Sequence, residues 1–173
     1  MQKWCSGLEH RLFVCPALET IKGWPLTLEE CYALANHTKN ARRQRKEDLP
    51  EIILLAIRME VMVTNNLQTD LDITNGARGI IVDIILSHDE PDLEEDSTII
   101  LKSLPGCVLA KPNRTSAAAL PQLREGVIPT QPAPRKMEVH VRGKTRTVTR
   151  KQSPTTSAYS FTEYQAQGRR PLT

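Results

Sequence analysis

Aromatic side chains make up only 4% of the 173 residues, so a base-stacking platform for nucleic acid would be thin. Cys5, Cys15, Cys31 and Cys107 include no C-x-x-C pair, and the half-site from which structural zinc centres are built is missing. Their scatter does not make the disulfide framework of a small secreted domain either, so the thiols read as reduced and mostly buried. The longest apolar run, Ile52 to Ile57, falls far short of the roughly 20 residues of a spanning helix. Lys3, Glu9, His10 and Arg11 stand where a signal peptide would need an apolar stretch. These absences point to a soluble, intracellular protein.

Nucleotide-binding signatures are lacking too. Gly143-Lys144-Thr145 imitates the end of a phosphate loop, but Glu138 stands where that loop needs its first glycine. The following Arg146–Arg150 is rich in Thr and Val and reads as strand where a helix is required. Asp89-Glu90 after Ile84-Ile85-Leu86 imitates a magnesium-binding acidic pair. Ser87 and His88 intervene, however, and the acids continue through Glu94, Glu95 and Asp96, the pattern of a solvated acidic loop. No catalytic residue and no metal ligand is assigned.

Hydrophobic residues make up 39% of the chain, enough for a modest core, and the net charge of +3 is mildly basic. That charge permits nucleic-acid binding without demanding it. Residues up to about Pro25 show no period. Thr27 and Glu30 form a capping-box pattern before Leu28, Cys31, Tyr32, Leu34 and Ala35, which recur at helical spacing. The basic cluster Lys39, Arg42, Arg43, Arg45 and Lys46 reads either as a solvated helix end or as a phosphate-contacting or nuclear-targeting patch. Met59, Val61 and Val63 alternate with Arg58, Glu60, Met62 and Thr64 as a half-buried strand would. Asn75-Gly76 signals a turn, because both residues tolerate positive backbone angles, and Gly79 follows before a buried strand over Ile80–Leu86. Short strands are expected at Thr98–Leu101 and Cys107–Ala110, with a loop over Pro112–Pro134. A basic hairpin then carries Lys136, Arg142, Lys144, Arg146, Arg150 and Lys151, turning at Gly143-Lys144. Short strands parted by turns suggest a small barrel or a strongly bent sheet.

Leu49 to Leu86, LPEIILLAIRMEVMVTNNLQTDLDITNGARGIIVDIIL, resembles a block of the Pif-type DNA helicases, especially fungal and Helitron-associated ones. There the pattern is leucine-proline, an apolar run, Gly-Met-Pro-Val-Met, Asn, then Asn-Gly-x-x-Gly. Arg150 to Gly168, RKQSPTTSAYSFTEYQAQG, is similar to the family's later Arg-x-Gln-x-Pro-Leu and Ala-Tyr-Ala-x-Thr-x-His-Lys-x-Gln-Gly segment. Cys107–Pro112 and Gly126–Pro129 also look familial, so the resemblance covers most of the chain after Leu49. It departs at Arg58 and Glu60, which replace the glycine and proline of the first block. Tyr164 and Gln165 stand at the histidine and lysine of the second.

The resemblance implies an α+β fold: a partial RecA-like α/β motor domain interrupted by a small SH3-like β-barrel, behind a helical N-terminal segment. Its divisions would be 1–48 as helical or irregular lead-in, 49–74 as part of the second RecA-like domain, 75–148 as the barrel and 149–173 as a truncated return. It implies a C-terminal piece of an ATP-dependent helicase acting in the nucleus in unwinding, repair, recombination and telomere maintenance. The parent's cofactors, ATP and magnesium, would not be retained by this chain, and its missing N-terminal motor domain would be a partner. Single-stranded DNA would be held weakly by Arg142, Lys144, Arg146, Arg150 and Lys151, with Thr162, Tyr164, Gln165, Gln167 and Gly168 beside the backbone. Asn75, Gly76 and Gly79 would serve turn geometry. Two other readings stand beside this one: a non-catalytic β-barrel interaction module, and a decayed mobile-element relic.

Overall fold

The computed structural model describes residues 11–40, 49–64, 74–93, 96–115 and 121–158. Among them the chain runs β1 (Leu12–Pro16), β2 (Leu18–Ile21), β3 (Trp24–Pro25), α1 (Leu28–Asn40), β4 (Ile52–Leu55), β5 (Glu60–Val63) and β6 (Arg78–Ile85). It continues through β7 (Thr98–Ile100), β8 (Cys107–Pro112), β9 (Ile128–Thr130), β10 (Ala133–Val141), β11 (Lys144–Gln152) and β12 (Thr155–Ser157). These strands make three open sheets, ordered β4-β1-β7, β10-β11-β2-β3 and β12-β5-β6-β8-β9.

This architecture overturns the expected α+β class. A single helix lies among the described residues, and neither a RecA-like α/β motor nor a closed SH3-like barrel is formed there. The lead-in is not a helical segment: three strands precede α1. They escape a periodicity search because they are short and their partners are remote. β1 pairs antiparallel with β4 and parallel with β7, while β2 pairs with β11. The expected division at 148/149 falls inside β11.

The main core joins the first and third sheets. Phe13 and Cys15 of β1 meet Ile53 and Leu55 of β4, Val61 of β5, Ile81 and Ile84 of β6 and Val108 of β8. The expected half-buried strand over Met59–Val63 is shorter, because a turn at Ala56–Met59 separates β4 from β5. Met59 N–H donates to the Ala56 carbonyl, and Arg58 sits in the turn at φ 68°. That left-handed conformation costs an L-residue roughly 1–2 kcal/mol and is natural for glycine. The resembled pattern has glycine at this position and proline at Glu60, the first residue of β5, where a strand tolerates proline.

Asn75-Gly76 does turn the chain, with Ala77 N–H donating to the Thr74 carbonyl at 2.9 Å. Of the pair, only Gly76 has a positive φ, 90°, the signature of a type II turn. Gly79 belongs to β6 and not to the turn. A Cβ there would lie 2.6 Å from the Lys111 carbonyl oxygen and 2.8 Å from the Pro112 Cα, so glycine lets β6 and β8 close up. Further along β6, the register shifts between Ile81 and Asp83, as an inserted residue requires.

The acidic stretch is less exposed than expected. Glu90 is 4% exposed, and its carboxylate accepts the Lys102 N–H at 3.0 Å and the Ser103 N–H at 2.7 Å. A buried carboxylate is tolerated when hydrogen bonds replace its water. Asp89 and Asp96 are exposed, whereas Glu94 and Glu95 lie outside the described residues. The expected loop over Pro112–Pro134 also contains β9 and the start of β10.

Cys15 and Cys107 are buried, but Cys31 on α1 is exposed and Cys5 lies outside the described residues. Burial pushes the Cys107 thiol up from its ordinary value, against a smaller opposing hydrogen bond with the Thr130 backbone. No helix among the described residues is long and apolar enough to cross a membrane.

Candidate nucleic-acid interface

β10 and β11 pair without a break from Ala133↔Gln152 to Val141↔Lys144. The two residues between them, Arg142 and Gly143, have φ of 48° and 73°, which is the type I′ turn that suits strand twist. The turn is therefore one residue earlier than the sequence suggested, and Lys144 opens β11. A second turn of the same kind, Lys22-Gly23, joins β2 to β3. Because β2 runs antiparallel to β11, both turns leave the sheet at the same end.

The pleat sorts the basic residues onto two faces. Lys144, Arg146, Val148 and Arg150 share the face covered by α1, where Leu34 packs on Val139 and Val148. Lys136, Glu138 and His140 share the other face with Thr145, Thr147, Thr149 and Lys151. There the Thr145 hydroxyl lies 3.1 Å from His140 Nδ1. Lys136, Lys144, Arg146 and Lys151 are all exposed.

Helix α1 is set against this hairpin by its own cap. Thr27 N–H and the Thr27 hydroxyl both donate to Glu30 Oε2 at 2.9 Å, and Glu30 N–H reaches the hydroxyl oxygen at 3.4 Å. This is the capping box anticipated from sequence. The Thr27 backbone bond, then its hydroxyl, hold the Glu30 carboxyl below its ordinary value, with a smaller contribution from the Arg146 charge. Arg142, in the turn, forms an ion pair with Glu29 of α1.

Arg150 departs from its expected role. It is 3% exposed, its Nε donates to Glu19 Oε1 at 2.7 Å, and its Nη1 donates to the Leu49 carbonyl at 3.0 Å. It fastens β11 to β2 and to the chain entering β4, so its guanidinium does not face solvent phosphate. Gln152 is a second fastener: its Nε2 donates to the Cys15 carbonyl at 2.9 Å, and its Oε1 accepts the Ser153 N–H. The Arg-x-Gln-x-Pro portion of the resemblance is thus a buried polar junction between sheets. Thr162, Tyr164, Gln165, Gln167 and Gly168 lie outside the described residues.

Two exposed groups were missed. Lys22 lies in the β2–β3 turn, and Trp24 on β3 is 76% exposed. A Lys-Gly turn followed by Trp was the available signal. Lys22, Trp24, Arg142, Lys144 and Arg146 lie at the turn end of this sheet, with Arg142 paired to Glu29 and Arg146 near Glu30. Among the described residues, no group of three or more His, Cys, Asp or Glu side chains could hold a metal ion.

This fold is like that of part of a helicase. The solved chains it resembles include the Pif1 helicase from Candida albicans, at TM-score 0.51 and 16% identity, over 91% of this chain and 31% of that one. An unliganded Pif1 from Bacteroides sp gives TM-score 0.41 and 15% identity over 69% and 30% of the two chains. A double mutant of Pif1 helicase from Bacteroides gives 0.47 and 12% over 92% and 27%. The chain thus spans about a third of the Candida protein it resembles, and the likeness is one of fold. No protein-family model matches the chain, and no curated protein matches it.

Proposed function

We propose that this chain is a helicase-related region whose hairpin end binds single-stranded DNA weakly and without sequence preference. The observation that carries the reading is the gathering of exposed Lys22, Lys144 and Arg146 beside exposed Trp24 at one end of one sheet. Cations there would neutralise backbone phosphates, and the indole offers a stacking surface for one base. Lys151 and Lys136, on the opposite face, would add a second, weaker set. The fold likeness to a Pif1 helicase supports a role beside DNA; a nuclear setting is carried by the sequence resemblance alone.

ATP turnover is not proposed for the chain by itself. Phosphoryl transfer needs cations and magnesium ligands placed around the phosphates, and the sequence carries no phosphate loop. Unwinding would require a nucleotide-binding motor half as partner, with ATP and magnesium bound there.

Fluorescence anisotropy of the chain with single-stranded and duplex oligonucleotides, over a salt series, tests the reading. The expected result is preference for the single strand and affinity that falls steeply with salt. Lys144→Ala with Arg146→Ala should flatten the salt slope by roughly one to two units, about one for each phosphate that is no longer neutralised. Absence of binding at low salt, with folding confirmed by circular dichroism, would overturn it.

A further inference from the structure

β10 is an edge strand of nine residues, and no described strand pairs with its outer side. Because the hairpin closes with a two-residue turn, Val141 and Lys144 form a hydrogen-bonded pair. Alternation then commits Ala133, Arg135, Met137, Val139 and Val141 to β11 and points the backbone N–H and C=O groups of Lys136, Glu138 and His140 outward. Beside this edge, α1 and the end of β10 enclose an open groove of about 940 Å³, lined by Leu28, Tyr32, Ala33, His37, His140 and Val141. Leu28 is 88% exposed and Tyr32 71%. A long open edge beside apolar surface is a template for strand addition.

The charges along the edge choose the occupant. We propose that it is a second copy of this chain, paired antiparallel through β10 about a two-fold axis at Met137. In that register Lys136 lies opposite the partner's Glu138 and Glu138 opposite the partner's Lys136, two complementary pairs made by one symmetry operation. Centring on Glu138 would oppose two carboxylates, and centring on Lys136 would oppose two ammonium groups. Lysine alone on an edge discourages pairing; the glutamate two residues on makes it selective for this alignment. The same register sets Val141 and His140 opposite the partner's Ala133 and the partner's Pro134. The partner's Ala133, on the same face as Val141, thus brings a small uncharged side chain beside the groove that Leu28 and Tyr32 leave open, while the partner's Pro134 lies on the opposite face. The outcome is one eight-stranded sheet with each groove bordering the new seam.

Sedimentation equilibrium of the full chain across a concentration series should show a monomer–dimer equilibrium. Hydrogen exchange should protect the amides of Lys136, Glu138 and His140 as the dimer fills. Glu138→Lys places lysine against lysine twice and should weaken the dimer about tenfold, as should Lys136→Glu. The double exchange Lys136→Glu/Glu138→Lys should restore it, with circular dichroism confirming the fold of each variant. A monomer at every concentration, or a groove that takes up only extended peptides of other sequence, overturns the proposal. So does a Glu138→Lys chain that dimerises undiminished, or a double exchange that does not recover. Sedimentation and exchange are measured without DNA, and Glu138→Lys leaves every proposed phosphate contact in place, so failure of the dimer and failure of DNA binding are distinguishable. Lys136→Glu also removes one of the weaker phosphate contacts and serves only as the charge-reversal control.

Discussion

The hairpin sheet with α1 and the body formed by the other two sheets are stabilised by different means. The body buries a broad apolar cluster contributed by β1, β4, β5, β6, β7 and β8. The hairpin sheet buries little more than Leu34, Val139 and Val148 beneath α1. It depends on local devices: two type I′ turns, a capping box and the Arg142–Glu29 pair. A region built from local devices can spend its surface on charge, which is why the exposed cations gather there. A region built on apolar burial depends on a few side chains being present and in place. Between the two lies the polar junction of Arg150 and Gln152.

The contrast can be broken most severely at Phe13. It is fully buried at the centre of the main cluster, and Phe13→Ala should cost about 3–5 kcal/mol. Urea unfolding followed by circular dichroism would measure this; a loss under about 1 kcal/mol would contradict the assigned core. Arg150→Ala comes next, at roughly 2–4 kcal/mol, because it leaves the Leu49 carbonyl and partly buried Glu19 without their donor. If the junction couples the two regions, this variant should also lower the denaturant m-value as cooperativity falls. An unchanged m-value would show that the regions communicate by another route.

Smaller effects sharpen the comparison. Arg58→Gly relieves a left-handed arginine in the body and should stabilise the chain by about 0.5–1 kcal/mol, glycine's extra unfolded freedom offsetting part of the strain relief. A lower melting temperature would show that contacts of the arginine side chain outweigh the strain. The least effect is expected at the α1 cap. The folded Glu30 carboxyl titrates below its ordinary 4.5, so its contribution is fully present above that value and is lost as pH falls through the lower folded one. Glu30→Gln should therefore reduce the acid sensitivity of helix signal in that window and leave neutral-pH behaviour nearly unchanged. NMR titration of the carboxyl would detect the depressed midpoint directly.

Much of what was legible from residue patterns is local. Thr27 with Glu30, Asn75-Gly76 and the basic hairpin each declare themselves within a few residues, since a cap or turn requires one or two side chains or backbone angles. Strands at β6, β7 and β8 were also visible as apolar runs. What was hidden depended on distance along the chain. β1 and β2 take their place only against β4, β7 and β11. Arg150 looked like a phosphate contact because Glu19 and Leu49, which occupy it, lie 131 and 101 residues away. Glu90 looked solvated because the amides that satisfy it belong to Lys102 and Ser103. The resemblance pointed to a Pif-type helicase fold, and the Candida Pif1 structure shares that likeness of fold, but the α+β architecture built upon it did not survive.

By itself, then, the sequence determined the turn at Asn75-Gly76, where the helix begins, and which of the longer apolar segments become strands. Short-range sterics and hydrogen bonds decide those features, and they act before any distant contact exists. Only the tertiary structure decided which cations reach solvent, which polar groups are buried as fasteners and that the sheets remain open. Those outcomes require pairing between residues from a dozen to more than a hundred positions apart, where burial and hydrogen-bond satisfaction are settled by the partner that arrives and not by the residue that waits.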